Sequence, residues 1–222
     1  MDTKKYAQLT QLHYLIDKYP DQERAEKKIN KKLIKRGLND YKVETVNRGV
    51  LHYKNTKDNS NVISIKGTDK YNPRDLISDL KLGLGIQSSD KQFKERRKQV
   101  KEIYRNHSGD KYITGHSLGS SIATDMLSKS KSLLDNTKKA MLYNTGYTSA
   151  FHNSIKPDKE TKKEMRDKII HNHTQNDIIS TSLTDKRHGT LKTIKVNSSN
   201  PLELHSLKPY TNESETEIMG GE

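Results

Sequence analysis

The chain has 222 residues, and its 41 lysine and arginine residues outnumber 28 aspartate and glutamate residues, which gives a formal net charge of +13. Only 30% of the residues are hydrophobic, so a core can form only where they are concentrated. The length suits one domain with tails, and the lack of cysteine excludes disulfides, thiolate metal sites and a cysteine nucleophile.

Two helices are predicted first. Apolar residues recur at helical spacing over residues 6–16, and Pro20 ends this helix. A second helix covers residues 25–33 and is closed by Gly37. An extended pattern over residues 41–53 then predicts a hairpin, through which the chain enters its sheet.

The middle of the chain alternates strands and helices. Residues 62–65 predict a central strand, Pro73 begins a short helix, and residues 91–107 predict a basic helix with a narrow apolar stripe. A strand over residues 112–114 leads into a helix over residues 117–129. This alternation favours a mainly parallel sheet.

The last part of the chain continues the alternation. A strand is predicted at residues 140–143 and a charged helix at residues 159–166. Two more strands follow at residues 169–170 and 191–196, and the second of these is predicted to end the sheet. Residues 211–222 are polar and rich in glutamate, which predicts a disordered tail. The predicted organisation is one domain over residues 1–210 followed by this tail.

The most informative motif is Gly115-His116-Ser117-Leu118-Gly119. It has the G-x-S-x-G pattern of a nucleophile elbow, in which a serine lies on a sharp turn between a strand and a helix. The predicted strand and helix flank the motif as that turn requires. The predicted fold is therefore an α/β-hydrolase, with a mainly parallel central sheet flanked by helices and preceded by N-terminal helices.

A serine hydroxyl becomes a nucleophile when a histidine accepts its proton and a carboxylate orients that histidine. In α/β-hydrolases the three occur in the order serine, acid, histidine. Asp177 follows the strand at residues 169–170 and is the preferred acid, with a turn-capping role as the alternative interpretation. Its rivals are Asp125, in the helix after the elbow, and Asp185, in a polar loop.

His205 is the preferred base because it lies beyond the predicted last strand, in a segment that flanking leucines anchor. His188 is the main rival, in an exposed, turn-like context. His171 and His173 precede the acid and are out of order. His116, inside the elbow, is expected to pack beside the sheet.

The reaction also requires hydrogen-bond donors for the oxyanion. The backbone N–H of Leu118, directly after the nucleophile, is the first predicted donor. The second is predicted in the loop after the strand at residues 62–65, where Thr68 follows Gly67.

These segments together resemble the class 3 lipase family, the fungal-type triacylglycerol lipases. Residues 63–69 are similar to its oxyanion strand, with Lys66 in place of the usual arginine. Residues 114–123 resemble its elbow and the helix that follows. Residues 176–179 and 204–207 are similar to its acid and histidine segments.

The resemblance implies a serine hydrolase that cleaves carboxylic esters of lipids through an acyl-enzyme, as a lipase, an esterase or a phospholipase. Ser117 would be the nucleophile, His205 the base and Asp177 the orienting carboxylate. Thr68 and Leu118 would form the oxyanion hole. No metal or cofactor is implied.

The family also carries a lid helix after its oxyanion strand. In this chain Leu76, Ile77 and Leu80 would form the apolar surface of that lid. Because this surface is small, the resemblance implies only weak interfacial activation.

Two main classes of function remain open, and a peptidase or an acyltransferase that uses the same three residues is a third, since a fold does not fix its substrate. The first is a lipid ester hydrolase that makes peripheral contact with an anionic membrane surface through its positive charge. The second is a catalytically inactive hydrolase-fold module that binds nucleic acid or an anionic membrane. Lysine is spread through nearly every segment and aromatic residues make up 6%, so nucleic acid is the weaker partner.

Localisation is predicted from the ends of the chain and from its hydropathy. Residues 1–19 contain no apolar core of a secretory signal, and no segment reaches membrane-spanning length, so a cytoplasmic or virion-associated protein is expected. Gly220-Gly221, preceded by apolar residues, resembles cleavage sites of some viral proteases and raises the hypothesis of a viral member of the family, with a flexible tail as the alternative interpretation.

Overall fold

The computed structural model describes residues 2–19, 21–67, 91–146, 149–177, 188–211 and 216–219. The strands in these parts are β1 (Tyr41–Val46), β2 (Val50–Asn55), β3 (Asn61–Ile65), β4 (Lys111–His116), β5 (Thr137–Tyr143), β6 (Ile169–Thr174), β7 (Thr190–Val196) and β8 (Thr216–Met219). The helices are α1 (Thr3–His13), α2 (Gln22–Lys35), α3 (Lys91–Asn106), α4 (Leu118–Lys129), α5 (Lys131–Asp135), α6 (Ser149–Ser154), α7 (Lys159–Lys168), α8 (Pro201–His205) and α9 (Lys208–Thr211). A 3-10 helix, Tyr14–Lys18, follows α1 directly.

The described strands form one sheet in which the spatial order is the chain order, from β1 to β8. Strands β3 to β7 run parallel, whereas β1, β2 and β8 pair antiparallel at the two margins. The predicted mainly parallel α/β-hydrolase sheet is confirmed. Because parallel strands end at the same edge, the segments that follow β3, β4, β5 and β6 lie near one another.

The core has two layers, one on each face of the sheet. In β3, Ile63 and Ile65 pack with residues of α3, α4 and α7, whereas Val62 packs with residues of α1 and α2. All residues of β3 are buried. A strand that is covered on both faces needs apolar residues at successive positions, which explains the apolar run, broken at Ser64, that predicted this strand.

The N-terminal helices precede the sheet in the chain, as predicted, and they cover one of its faces. Tyr53 in β2 and Tyr143 in β5 donate their hydroxyl hydrogens to the α1 carbonyls of Leu9 and Thr3, at 2.8 and 2.6 Å. These bonds satisfy buried tyrosine hydroxyls and fix α1 across the sheet. At His13 the chain tightens into the 3-10 helix, so the helix predicted over residues 6–16 does not continue as one α-helix.

The sheet continues past the strand predicted to be its last. β8 pairs antiparallel with β7, and Ile218 lies opposite Ile194. This strand, Thr216–Met219, lies within the segment predicted to be a disordered tail, and the structure differs from that prediction at these four residues. The open edge of β7 offers unpaired backbone groups, which a polar segment satisfies as readily as an apolar one.

Some predictions lie outside the described residues. They are the helix that begins at Pro73, the lid residues Leu76, Ile77 and Leu80, the oxyanion residue Thr68, and the rival acid Asp185. Among the helices that the structure describes, none is both long enough and apolar enough to cross a bilayer.

Candidate active site

Ser117 lies on a sharp turn between β4, which ends at His116, and α4, which begins at Leu118. Its backbone has φ 55° and ψ −123°, a conformation that non-glycine residues seldom adopt. Such strain at one serine between a strand and a helix is the geometry of a nucleophile elbow. The serine is 2% exposed, so the turn is buried as well as strained.

The glycines of the motif allow close backbone contacts around this turn. A Cβ atom at Gly119 would lie far inside van der Waals contact with the carbonyl oxygen of Ile65. A Cβ atom at Gly115 would lie 3.0 Å from the carbonyl carbon of Gly119. The first turn of α4 therefore rests directly on β3 and β4, and the serine is held at the carboxyl edge of the sheet.

The structure brings Ser117, His205 and Asp177 together. The distance from His205 Nε2 to Ser117 Oγ is 2.9 Å, and the distance from His205 Nδ1 to Asp177 Oδ2 is 2.8 Å. Asp177 is fully buried and His205 is 3% exposed. With a hydrogen on Nδ1, the carboxylate accepts from that nitrogen and Nε2 is free to accept the serine proton.

The acid and the histidine are positioned by local turns. Asp177 follows Asn176, which has a φ of 66°, and its N–H donates to Thr174 O at the end of β6. His205 is the last residue of α8, a helix that begins with Pro201 after an Asn200 cap. The sequence predicts an anchored loop for His205, and the structure has this short capped helix instead.

Asp125, a rival acid, has a different environment. It is buried in α4, where Arg97 Nη2 and Lys129 Nζ lie 2.6 and 2.5 Å from its carboxylate oxygens. These two cations balance its charge. This ion-paired cluster therefore has a structural role, packing α3 onto α4.

The rival histidines have other partners. His171 Nδ1 lies 2.9 Å from Thr145 Oγ1, and His171 Nε2 donates to the carbonyl oxygen of His188 at 3.1 Å. The His188 ring stacks on His152, with 5.1 Å between the ring centroids. Burial, and then the neighbouring His152, lower the pKa of His188 to about 4. His171 and His188 thus belong to a separate group from His205.

The end of β3 leads into the predicted oxyanion loop and is held by several contacts. Lys66 is 2% exposed and forms an ion pair with Asp17 of the 3-10 helix. Arg96 of α3 donates to the carbonyl oxygen of Lys66. A Cβ atom at Gly67 would lie 2.7 Å from the carbonyl oxygen of His116, so only glycine fits there. Lys66 thus forms a buried ion pair at the position where the sequence resemblance leads one to expect an arginine.

Asn144 follows β5 and was not predicted as a site residue. Its Nδ2 donates to the carbonyl oxygens of Leu204 and Ser206, at 2.9 and 3.1 Å, on either side of the candidate base. Its Oδ1 accepts from Thr174 N–H at 2.9 Å and from Tyr210 Oη at 2.7 Å. One buried amide therefore joins the segments that carry the acid and the histidine.

His116 and Tyr14 were also missed as site residues. The distance from Tyr14 Oη to His116 Nδ1 is 2.9 Å, and the distance from His116 Nε2 to the carbonyl oxygen of His205 is 2.6 Å. Loss of solvent, and then the nearby His205 ring, lower the pKa of His116 to about 3, so the ring is neutral. The sequence predicts packing beside the sheet for His116, without these polar contacts.

Comparisons with known proteins give structural likeness alone. No protein-family model matches the chain, and no curated protein matches its sequence. The Rhizomucor miehei lipase in its propeptide complex is 16% identical, with 90% of this chain and 67% of that chain covered and a TM-score of 0.51. A second fungal lipase structure is 12% identical, and the match covers 99% of this chain and 85% of that chain, with a TM-score of 0.49. The lipase from Rhizopus microsporus var. chinensis is 13% identical, and the match covers 81% of this chain and 67% of that chain, with a TM-score of 0.42. With its sheet order, its elbow and its likeness to the Rhizomucor miehei enzyme, the chain has an α/β-hydrolase fold of the fungal-lipase type.

Proposed function

We propose that this chain is a serine hydrolase that cleaves carboxylic esters of lipids through an acyl-enzyme. The observation that carries the proposal is the hydrogen-bonded series from Asp177 through His205 to Ser117 on a strained elbow. Its two distances lie within the reach that proton transfer to a general base requires. The three groups also occur in the chain order of α/β-hydrolases.

The reaction follows from the direction of these hydrogen bonds. Ser117 Oγ attacks the ester carbonyl carbon while His205 Nε2 takes its proton, and Asp177 stabilises the imidazolium that forms. The imidazolium then protonates the leaving alkoxide, which departs as the alcohol and leaves an acyl group on Ser117. Water attacks this acyl-enzyme with His205 again as base, and the carboxylic acid leaves.

The negative oxygen of each tetrahedral intermediate needs preorganised donors. We assign one to the N–H of Leu118, at the first position of α4, where the positive end of the helix dipole also favours an anion. We assign the other to Thr68, which lies beyond the described end of β3. The contacts that hold Lys66 and Gly67 support this assignment because they fix the strand from which Thr68 follows.

The substrate class rests on the fold. A lipid ester is favoured over other acyl compounds because the chain shares its fold with the Rhizomucor miehei lipase. The exposed face of α7 adds a preference for anionic lipid surfaces, because four cations, Lys159, Lys162, Lys163 and Arg166, line one shallow depression there with a single acidic residue, Glu160. Each such cation near an anionic bilayer contributes about 1 kcal/mol of attraction.

A fluorophosphonate probe tests the catalytic proposal directly. It should label the folded protein at one residue, Ser117, and Ser117→Ala should abolish labelling. Ser128→Ala is the matched control, because Ser128 lies at the far end of the same helix, where its hydroxyl donates to Asp125 O. Absence of labelling on folded protein, or equal labelling of Ser117→Ala, would overturn the proposal.

The substrate is tested with esters of increasing acyl length and with vesicles of neutral or anionic phospholipid. Hydrolysis should be faster on anionic vesicles, and the combined Lys162→Gln, Lys163→Gln and Arg166→Gln variant should lose that preference while keeping its rate on soluble esters. If soluble short esters alone are cleaved, the chain is an esterase and the lipid assignment is wrong. Salt-dependent binding of nucleic acid without hydrolysis would instead favour the inactive module.

A further inference from the structure

The main chain around the candidate base is held at three successive carbonyl groups. Asn144 donates to the carbonyl oxygens of Leu204 and Ser206, and His116 donates to that of His205 itself. A catalytic base must stay within about 0.5 Å of its productive position to act. Asp177 fixes the His205 ring, whereas these bonds fix the backbone from which the ring projects.

The hydrogen-bond directions through His116 are determined by its partners. A carbonyl oxygen only accepts, so His116 Nε2 carries the hydrogen that points to His205 O. In the neutral ring Nδ1 is then an acceptor, and it takes the hydroxyl hydrogen of Tyr14 at 2.9 Å. The Tyr14 oxygen in turn accepts from the N–H of Gly67 at 3.2 Å.

We propose that Tyr14 and His116 are positioning residues that couple the predicted oxyanion loop to the catalytic base. The proposal rests on the proposed function. Three hydrogen bonds form a relay, which runs from the N–H of Gly67 through Tyr14 and His116 to the carbonyl oxygen of His205. The relay joins Gly67, just beyond β3, to the backbone of the base, so Gly67 and the His205 main chain keep one mutual geometry.

His116 acts through its neighbours rather than on the substrate. Its ring centroid lies 5.1 Å from that of His205, with the rings tilted by 45°, and its two nitrogens bond Tyr14 and the His205 carbonyl. The histidine that forms an imidazolium during the reaction is thus next to a second histidine. A neutral His116 avoids placing two positive rings in contact, and the low pKa of His116 is consistent with that state.

The relay also explains how the N-terminal helices contribute to the site. Tyr14 begins the 3-10 helix, and Asp17 in the same helix pairs with Lys66. Two successive residues just beyond β3, Lys66 and Gly67, are therefore held by one short helix. The change from α-helix to 3-10 helix at His13 places Tyr14 and Asp17 in contact with this strand end.

Two substitutions test the relay. Tyr14→Phe keeps the ring but removes the hydroxyl, and His116→Gln keeps a side-chain N–H donor but removes the ring. We expect kcat for a soluble ester to fall about tenfold to a hundredfold in Tyr14→Phe, with KM changed by less than about threefold, because misplacement raises the barrier rather than weakening binding. His116→Ala should lose more activity than His116→Gln, since glutamine restores a donor to the His205 carbonyl.

Matched controls separate positioning from loss of stability. Tyr104→Phe removes a partly buried tyrosine hydroxyl that bonds Thr137, and His52→Gln removes a buried histidine that bonds Asn61. Both controls should be destabilised yet keep the wild-type kcat per site counted with the fluorophosphonate probe. If Tyr14→Phe and His116→Gln also keep the wild-type kcat, or if they change only KM, the relay is overturned while the proposed function stands.

A nuclear magnetic resonance measurement decides the relay independently of hydrolysis. The ring nitrogen shifts of His116 in the wild-type chain should show the neutral ring with hydrogen on Nε2 at neutral pH, and Tyr14→Phe should shift the Nδ1 resonance. A ring with hydrogen on Nδ1, or a protonated ring, would contradict the relay. This result remains informative if the probe fails to label Ser117, a failure that would overturn the proposed function itself.

Discussion

Two of the hydroxyl–histidine pairs in the described part of the chain, Ser117–His205 and then Thr145–His171, differ in what holds the histidine. Ser117 and Thr145 each lie 2.9 Å from an imidazole nitrogen, of His205 and His171 respectively. The other nitrogen of His205 faces the carboxylate of Asp177, whereas that of His171 donates to a main-chain carbonyl. A carboxylate stabilises an imidazolium and a neutral carbonyl does so much less, so only the first pair is equipped to take a proton.

The backbone conformation and position of the hydroxyl residue also distinguish the two pairs. Ser117 has a positive φ at the junction of a strand and a helix, where its Oγ meets His205 Nε2. Thr145 is buried two residues after β5, and its hydroxyl meets His171 Nδ1. A short oxygen–nitrogen distance is therefore insufficient to identify a nucleophile, and the third partner and the backbone turn make the distinction.

The largest expected effect comes from deleting each hydroxyl in turn. Ser117→Ala should lower kcat/KM for a soluble ester by roughly a millionfold, because in the proposed mechanism it removes the group that forms the acyl-enzyme. Thr145→Val should leave kcat/KM within about threefold and cost about 1–3 kcal/mol of unfolding free energy, since it removes the donor to His171 Nδ1. Steady-state kinetics and urea unfolding measure both; comparable rate losses would erase the distinction between the pairs.

A further substitution gives the Ser117–His205 pair a neutral third partner, as the Thr145–His171 pair has. Asp177→Asn replaces the carboxylate with a neutral amide, so that His205 loses both its charge partner and its fixed tautomer. We expect kcat to fall about 10⁴-fold with KM little changed, while probe labelling becomes slow but remains at Ser117. Asp125→Asn gives the contrast, since Asp125 balances Arg97 and Lys129 and should affect stability more than rate. A wild-type rate in Asp177→Asn would remove Asp177 from the mechanism.

The smallest expected effect concerns pH and His188, whose carbonyl completes the second pair. Burial, His152 and Lys162 lower the pKa of His188 to about 4, below its unfolded value of about 6.5. Between these values the unfolded chain binds the proton more readily, so the free energy of unfolding falls as the pH drops from about 6.5 towards 4 and is unaffected above that range.

His188→Gln should therefore make this acid loss of stability shallower while ester hydrolysis at neutral pH keeps its wild-type rate. Urea unfolding over a pH series measures the slope. His116→Gln provides the comparison, because the same kind of change beside the first pair also lowers kcat. An unchanged slope in His188→Gln would show that the His188 ring is not held neutral by its surroundings.

Local sequence patterns predict most of the fold and the three residues that the structure brings together in the candidate site. Apolar periodicity locates β3, β4 and α4, and the motif around Ser117 fixes the junction between the last two. Asp177 and His205 follow from chain order and from their places after strands. These features are short-range or follow the topology, so a single sequence contains them.

The supporting contacts could not be predicted in the same way. Asn144 bonds carbonyls about 60 residues away, and Tyr14 bonds a histidine about 100 residues away, through single polar atoms. Such bonds depend on where folded backbones cross, and neither residue lies in a recognisable motif. The antiparallel strand β8 was missed for a related reason, because the edge of β7 rather than its own composition provides its partner.

The order of the strands has a consequence for synthesis of the protein. Each strand pairs with the strand that precedes it in the chain, so the sheet can grow by one neighbour at a time as the polypeptide leaves the ribosome. Ser117 can take its strained turn once β3, β4 and β5 are in place, whereas His205 emerges after all the parallel strands. A nascent chain would therefore hold a folded but unreactive serine until α8 docks.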